Sequence, residues 1–418
     1  MCCGSGTFLL SAYDYLMEYF LKKLTQGEPG NGELISENSP GTFRLTLQAK
    51  RLILTKTLYG VDINPYATEV TKFSLLLKLL EEENEASIRN FRETYGDKVL
   101  PNLSNSIKCG NSLVDSNFFN YMPEALDDDE LLRKINPLDW EDEFPFLKNN
   151  KFDAIIGNPP YVRIQNMVRY ISEEVKFYQS QKSSYIVAAK ESPDKYYVFI
   201  QKALGLLNDR GYLGYIVPHK FFILKGGKSL RNFITSNSYL SKISHFGVTQ
   251  VFPGRSTYTA ILIIQKAKTD RTLFRRIQKI TPEVLDTSLS YVSYETSKFD
   301  SEPWIFVSPA IQKVFNKLET KAVQPLDTFA EVSVGVQTSA NPVYIFIPTA
   351  ETDETYTFQY KKKEYTIEKK LCLPVIFKTK FDLFDTAEAA ARLIFPYKIS
   401  EKGTFLIDEE GLKKTFPL

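Results

Sequence analysis

The chain has 418 residues, 43% of them hydrophobic and 24% charged, with a formal net charge of +2. That length argues for two domains plus connectors, and the composition is that of a soluble globular protein. No apolar run reaches the roughly 18–20 residues of a membrane span, and the start lacks the basic region of a signal peptide. Four cysteines and two histidines without metal-ligand spacing argue against a metal site or a disulfide framework and fit a reducing cytoplasm.

Residues 5–24 place Phe8, Leu9, Tyr13, Leu16, Phe20 and Leu24 at helical spacing and predict a helix. Residues 25–42, rich in Gly, Pro, Asn and Ser, read as a loop, and 43–56 as a second helix. A short buried strand over 58–63 carries Asp62 at its end and leads into a helix over 65–83. Residues 106–112 form another short strand with a polar exit. The stretch 121–145, with nine acidic residues against two basic ones, reads as a surface insertion. A strand at 152–156, a helix at 194–208, a strand and turn at 211–218, a helix at 227–237 and strands at 241–246 and 259–265 follow.

This alternation predicts a doubly wound α/β sheet, in which ligands bind beyond the carboxyl ends of the strands. Beyond 270 the segments become shorter and richer in Thr, Tyr and Lys. The expected division is a catalytic domain over 1–269, a connector over 270–325 and a second domain over 326–418. Residues 220–280 carry twelve Lys or Arg against one acid, Asp270, interleaved with aromatics from Phe221 to Phe274. Such a mixture suits a polyanion with exposed bases, and equally a solvated basic face over core aromatics.

Four polar points fall at strand ends: residues 3–6, Asp62, Asn111 and Asn158. Gly4-Ser5-Gly6 before a helix lets a ligand approach the backbone at an anion-favouring helix start, or is a plain capping turn. Asp62 is placed to accept from both hydroxyls of a ribose, or to cap the 65–83 helix. Asn111 offers an amide to a base edge, although a turn role after Gly110 is the better reading of that residue alone. Asn158-Pro159-Pro160-Tyr161 is more specific. Tandem prolines remove two donors and stiffen the chain, leaving rigid carbonyl acceptors beside an amide oxygen and an aromatic ring. The set suits a planar group with an exocyclic amine, and a tightly packed strand exit is the lesser alternative.

In this setting the chain resembles the S-adenosylmethionine-dependent amino-methyltransferases of DNA, most closely the gamma-class adenine-specific (N6) enzymes of type IIG and related type II restriction-modification systems. The resemblance rests on "CCGSGTFLL" (2–10), "LYGVDINPYATEVTKFSLLL" (58–77), "IKCGNSL" (107–113) and "FDAIIGNPPYVR" (152–163). "GYLGYIVPHKFF" (211–222), "VTQVFPGRSTYTAILIIQK" (248–266), "FAEVSVGVQTSANPVYIF" (329–346) and "RLIFPYKI" (392–399) follow in the family's order. It implies a Rossmann-like methyltransferase sheet with a C-terminal, partial α+β target-recognition domain. S-adenosyl-L-methionine is the implied cofactor and double-stranded DNA the partner.

The resemblance places Gly4, Ser5 and Gly6 at the cofactor, Asp62 on its ribose, Ile63 on its adenine ring, and Asn111 with Ser112 at the polar edge of that ring. Asn158 and the carbonyl of Pro159 would hold the amine of a flipped adenine, with Pro160 stiffening the turn, Tyr161 stacking and Phe252 approaching from another side. Lys220, Lys225, Lys228 and Arg255 would line the DNA backbone. The family's loop begins with Asp-Pro, and here Met1 stands about where the proline would. An N-terminally truncated enzyme is therefore expected, one that binds cofactor weakly unless an upstream chain or segment supplies the missing part. The alternatives are a non-catalytic DNA-binding fragment or subunit and, less favoured, a protein-glutamine or ribosomal-RNA methyltransferase of the NPPY type. Methylation of a cytosine amine is disfavoured by Asn158, and no nuclease cluster is expected.

Overall fold

The computed structural model describes all residues except 27–32, 97, 190–192, 238, 253, 255–256, 282–290, 308, 326–327, 332–334, 339, 378–387, 401–402 and 417–418. Helix α1 (Thr7–Thr25) starts directly after Gly6, whose φ of 87° turns the chain into it. A hairpin, β1 (Ile35–Ser39) and β2 (Thr42–Leu45), leads to α2 (Leu47–Thr57). The loop expected over 25–42 thus contains a strand, and the second helix begins only at Leu47, after β2. The polar run of β1 hides its extended backbone from a periodicity argument, because Ile35 is its one apolar residue and packs only partly buried against the cluster. Then come β3 (Gly60–Asp62), α3 (Pro65–Leu80), α4 (Glu85–Tyr95) and β4 (Ile107–Cys109), with β3 and β4 paired in parallel. Leu9, Tyr13, Leu54, Leu75, Leu79 and Ile107 build one apolar cluster inside this group.

Short helices α5 (Asn117–Tyr121), α6 (Asp129–Ile135) and α7 (Trp140–Glu143) occupy the acidic stretch. It is anchored rather than laid on the surface, because Ile135, Leu138, Trp140, Phe144 and Leu147 are buried in the main core. Its acids point outward while its apolar residues fill space beside β4. Strand β5 (Phe152–Gly157) is followed by α8 (Ile164–Met167), α9 (Ser172–Gln179), α10 (Lys195–Leu206), β6 (Leu207–Pro218), α11 (Lys228–Ser236), β7 (Leu240–His245), β8 (Thr259–Gln265), β9 (Arg271–Arg276) and β10 (Val292–Glu295).

These six strands form one sheet in the order β10-β9-β7-β8-β6-β5. Strands β5, β6, β7 and β9 run parallel, while β8 and β10 run against them. With α10 between β5 and β6 and α11 between β6 and β7, this is the mostly parallel α/β sheet of a Rossmann-like methyltransferase fold. Strands β9 and β10 lie within 270–325, so the first part of the expected connector is sheet. Alternate burial of Thr272 and Phe274, together with buried Phe299 and Trp304, explains why.

The β3–β4 pair and the six-stranded sheet share no ladder. Between them lie the first residues. The Cys3 amide donates to the Val61 carbonyl at 3.0 Å, and a Cβ on Gly157 would sit 3.3 Å from the Met1 carbonyl.

Compact units span 1–314 and 315–418, with helix α12 (Pro309–Lys321) at the division. In the second unit, α13 (Asn341–Tyr344) precedes β11 (Ile345–Phe346), and the sheet β12 (Ala350–Glu351), β13 (Thr355–Tyr360), β14 (Lys363–Glu368) follows. Next come β15 (Cys372–Val375) and β16 (Ala391–Ile394), which pair with each other, β16 also pairing with β11. The hairpin β17 (Tyr397–Ser400) and β18 (Gly403–Leu406) and helix α14 (Glu409–Thr415) complete it.

Candidate active site

Loop 3–6 is tied at several points. The Gly4 amide donates to Asp62 Oδ2 at 2.8 Å, the Gly6 amide to the Cys3 carbonyl at 3.0 Å, and Thr71 Oγ1 to the Gly4 carbonyl at 2.9 Å. Gly4 and Gly6 have φ of 57° and 87°, where a side chain is strained. A Cβ on Gly6 would lie 3.0 Å from the Thr71 side chain, whereas one on Gly4 would meet nothing within 4 Å. The loop is therefore clamped from α3 and open on its other face. Ser5 is exposed, and no side chain caps the first amides of α1.

Asp62 also accepts from the Asn64 amide at 2.9 Å. Each carboxylate oxygen thus takes one bond from the backbone and keeps capacity for another. It is not the cap of α3, because Asn64 Oδ1 accepts from Tyr66 and Ala67. Ile63, the next residue, is 45% exposed at the end of β3. Asn111 is buried and engaged in its turn, donating to the Ile135 carbonyl at 3.1 Å and accepting from the Leu113 amide at 3.1 Å. Ser112 is buried beside it, and its carbonyl accepts from the Trp140 indole.

The end of β5 differs in one respect. Asn158 Oδ1 is buried and has no hydrogen-bond partner among the described residues. Among the described residues no donor reaches the Pro159 carbonyl either. The Tyr161 ring beside them is fixed by its hydroxyl, which donates to the Ile216 carbonyl on β6 at 3.0 Å, and by an edge-on contact with Tyr196 at 6.3 Å. Burial pushes the Tyr161 hydroxyl well above its usual range, so it remains a neutral donor. After the prolines, the Lys195 amide donates to the Val162 carbonyl at 2.7 Å, and Lys195 Nζ pairs with buried Glu174 at 2.7 Å. That network, like Thr71, has no local sequence signal, because its partners are distant along the chain.

The basic region is less open than its composition implies. Lys220 pairs with Asp194 at 2.7 Å and Lys228 with Glu302 at 2.7 Å, while Lys225 is exposed. Arg255 lies outside the described residues. Phe221, Phe222, Phe246 and Phe274 are buried, so most of these aromatics belong to the core. Phe252 is half-buried in the turn after β7, and no ring contact joins it to Tyr161 among the described residues.

Residues 56–252 match the Eco57I restriction-modification methylase family. The type II restriction enzyme and methyltransferase RM.Eco57I of Escherichia coli is 33% identical over 100% of this chain and 40% of its own length. Over residues 56–252 the chain is similar to the Eco57I-type restriction-modification methylases. The type II methyltransferases M.BstVI of Geobacillus stearothermophilus and M.HindII of Haemophilus influenzae are 28% and 30% identical, over 64% and 45% of this chain. The chain spans 47% and 39% of those two relatives, less than half of each of the three. A solved Type IIL restriction-modification enzyme, MmeI, in complex with DNA, aligns over 70% of this chain and 33% of its own, at 14% identity and a TM-score of 0.42. Strand order, not that likeness, carries the fold assignment. Asp62, Asn111, the Asn158–Tyr161 turn and Phe252 all fall within the Eco57I-type segment, whereas loop 3–6 precedes it.

Proposed function

We propose that the chain is the methyltransferase part of a restriction-modification protein and methylates the N6 amine of adenine in double-stranded DNA, using S-adenosyl-L-methionine. The observation that carries this reading is the unpartnered, buried Asn158 Oδ1 beside the donor-free Pro159 carbonyl. A buried acceptor without a donor costs about 1–3 kcal/mol, and a ligand amine removes that penalty. The relatives that carry the name methyltransferase support the same reaction class.

The residues present fit the cofactor: an open glycine loop at a helix start, a carboxylate with spare acceptor capacity, and an exposed Ile63 at the strand end. When bound, that group supplies a methyl on a positively charged sulfur. Asp62 would hold the ribose hydroxyls, and loop 3–6 would receive the amino-acid part. Asn158 Oδ1 and the Pro159 carbonyl would accept the two N–H bonds of the target amine, drawing its lone pair out of conjugation toward the methyl group. Tyr161, locked by Ile216, would stack on the base, which has to leave the duplex to arrive there. Catalysis is then positioning and electrostatics without a covalent enzyme intermediate.

Tritiated methyl transfer to non-self genomic DNA tests this reading. The Asn158→Ala chain is expected to incorporate roughly 10²-fold less label than wild type, as for loss of a transition-state hydrogen bond. Equal incorporation by both would sink it.

A further inference from the structure

The chain has two histidines, and the fold brings them together. His219 directly follows β6 and His245 ends β7, so both stand at the carboxyl edge that also carries Asn158. Their rings are 4.1 Å apart between centroids. They grip one residue from two sides. The Gly247 amide donates to His245 Nδ1 at 2.9 Å, and His219 Nε2 donates to the Gly247 carbonyl at 3.2 Å. Each bond fixes a tautomer: Nδ1 of His245 is bare, and Nε2 of His219 carries its hydrogen.

Gly247 has a φ of 58°, and a Cβ there would lie 3.2 Å from the Arg276 guanidinium. A side chain there would be strained and would press on that guanidinium. The turn it opens is also pinned by the Thr249 amide on the Phe246 carbonyl at 2.9 Å and by Thr249 Oγ1 on the Gln278 carbonyl at 3.0 Å. Phe252 stands three residues further on. Phe222 and Phe274 pack on His245, and Tyr258 lies stacked by His219. Burial holds His245 at about 4, with His219 and Arg276 adding to the effect, so Nδ1 stays an acceptor at neutral pH. Among the described residues Arg276 of β9 is the charged group set against it, and Lys220, next to His219, is neutralised by Asp194.

We propose that His219 and His245 are positioning residues: an imidazole clamp on Gly247 that sets the turn carrying Phe252 at the target-base site. The placement of Phe252 rests on the methyltransferase reading above, whereas the clamp itself does not. The chemistry selects its own rescues. Asn presents an oxygen where His Nδ1 lies, and Gln presents an N–H donor where His Nε2 lies.

The test uses the full chain. His219→Ala and His245→Ala are each expected to lower kcat for methyl transfer by roughly 10- to 100-fold, the scale of a misplaced contact. KM for DNA should stay within about two-fold of wild type on the same grounds. Amide exchange at Gly247 and Thr249 should speed up in both. His245→Asn and His219→Gln should restore rate and exchange protection. Wild-type exchange in the alanine variants, or rescues that behave like alanine, would overturn the clamp. Loss of kcat without faster exchange would overturn it as well. If the wild-type chain transferred no methyl group, the proposed function would fall, while the exchange rates would still decide the clamp.

Discussion

Asn158 stands out in the sequence because everything that singles it out is local: an apolar strand, an amide, two prolines and a ring. The sequence could not say that its oxygen is buried without a partner, which depends on the packing around β5. If that vacancy destabilises the fold, Asn158→Leu should unfold at equal or higher urea, by about 1 kcal/mol, while losing methyl transfer. A clear loss of stability would mean that the amide is needed structurally. Asn111 differs, its amide engaged by the Ile135 carbonyl and the Leu113 amide, contacts that the turn reading anticipates. Lys220 and Lys228 pair with Asp194 and Glu302, carboxylates too remote in sequence for these contacts to be legible there. His245 adds a pH dependence. The folded chain keeps it neutral down to about pH 4, whereas an unfolded histidine takes a proton near the usual 6.5. Stability should therefore fall as pH drops from 6.5 toward 4, with no such penalty above that window. Thermal midpoints across this range should fall less steeply in His245→Asn.

At the scale of elements, α1, α3 and the strands from β3 to β8 follow from periodicity and polar punctuation. The start of α2 moved to follow its cap, Thr46, whereas α3 starts at Pro65 as expected, behind Asn64, and ends at Leu80 rather than 83. The β1–β2 hairpin and α4 were not anticipated, since polar residues line their exposed faces and few apolar ones, Leu45 and Phe91 among them, are buried. The junction between loop 3–6 and α1 invites a paired comparison. Gly6→Ala should cost about 1–2 kcal/mol for the left-handed backbone, plus crowding against Thr71 at 3.0 Å. Gly4→Ala bears the backbone penalty alone, because its Cβ would meet nothing within 4 Å. Urea midpoints should rank Gly6→Ala below Gly4→Ala, and the reverse order would contradict the Thr71 clamp.

At the scale of the molecule, the doubly wound sheet was legible from the alternation of strands and helices, and the family from the ordered motifs. That part of the segment expected as a connector extends this sheet was not. Residues 271–276 and 292–295 join the sheet through pairings with β7 and with each other, which only tertiary structure reveals. The sheet's interruption bears on how the first unit comes apart. No backbone ladder runs from β3 to β5, and the apolar cluster around Leu54 and Leu75 is separate from the one around Tyr196 and Leu213. Side chains such as Tyr59, with Phe146 and Phe152 against it, and the contacts of residues 1–3 join the two halves. Heat should then melt the first unit in two steps, with amides of β3 and β4 exchanging through a smaller opening than those of β6 and β8, and a calorimetric enthalpy exceeding the van't Hoff value.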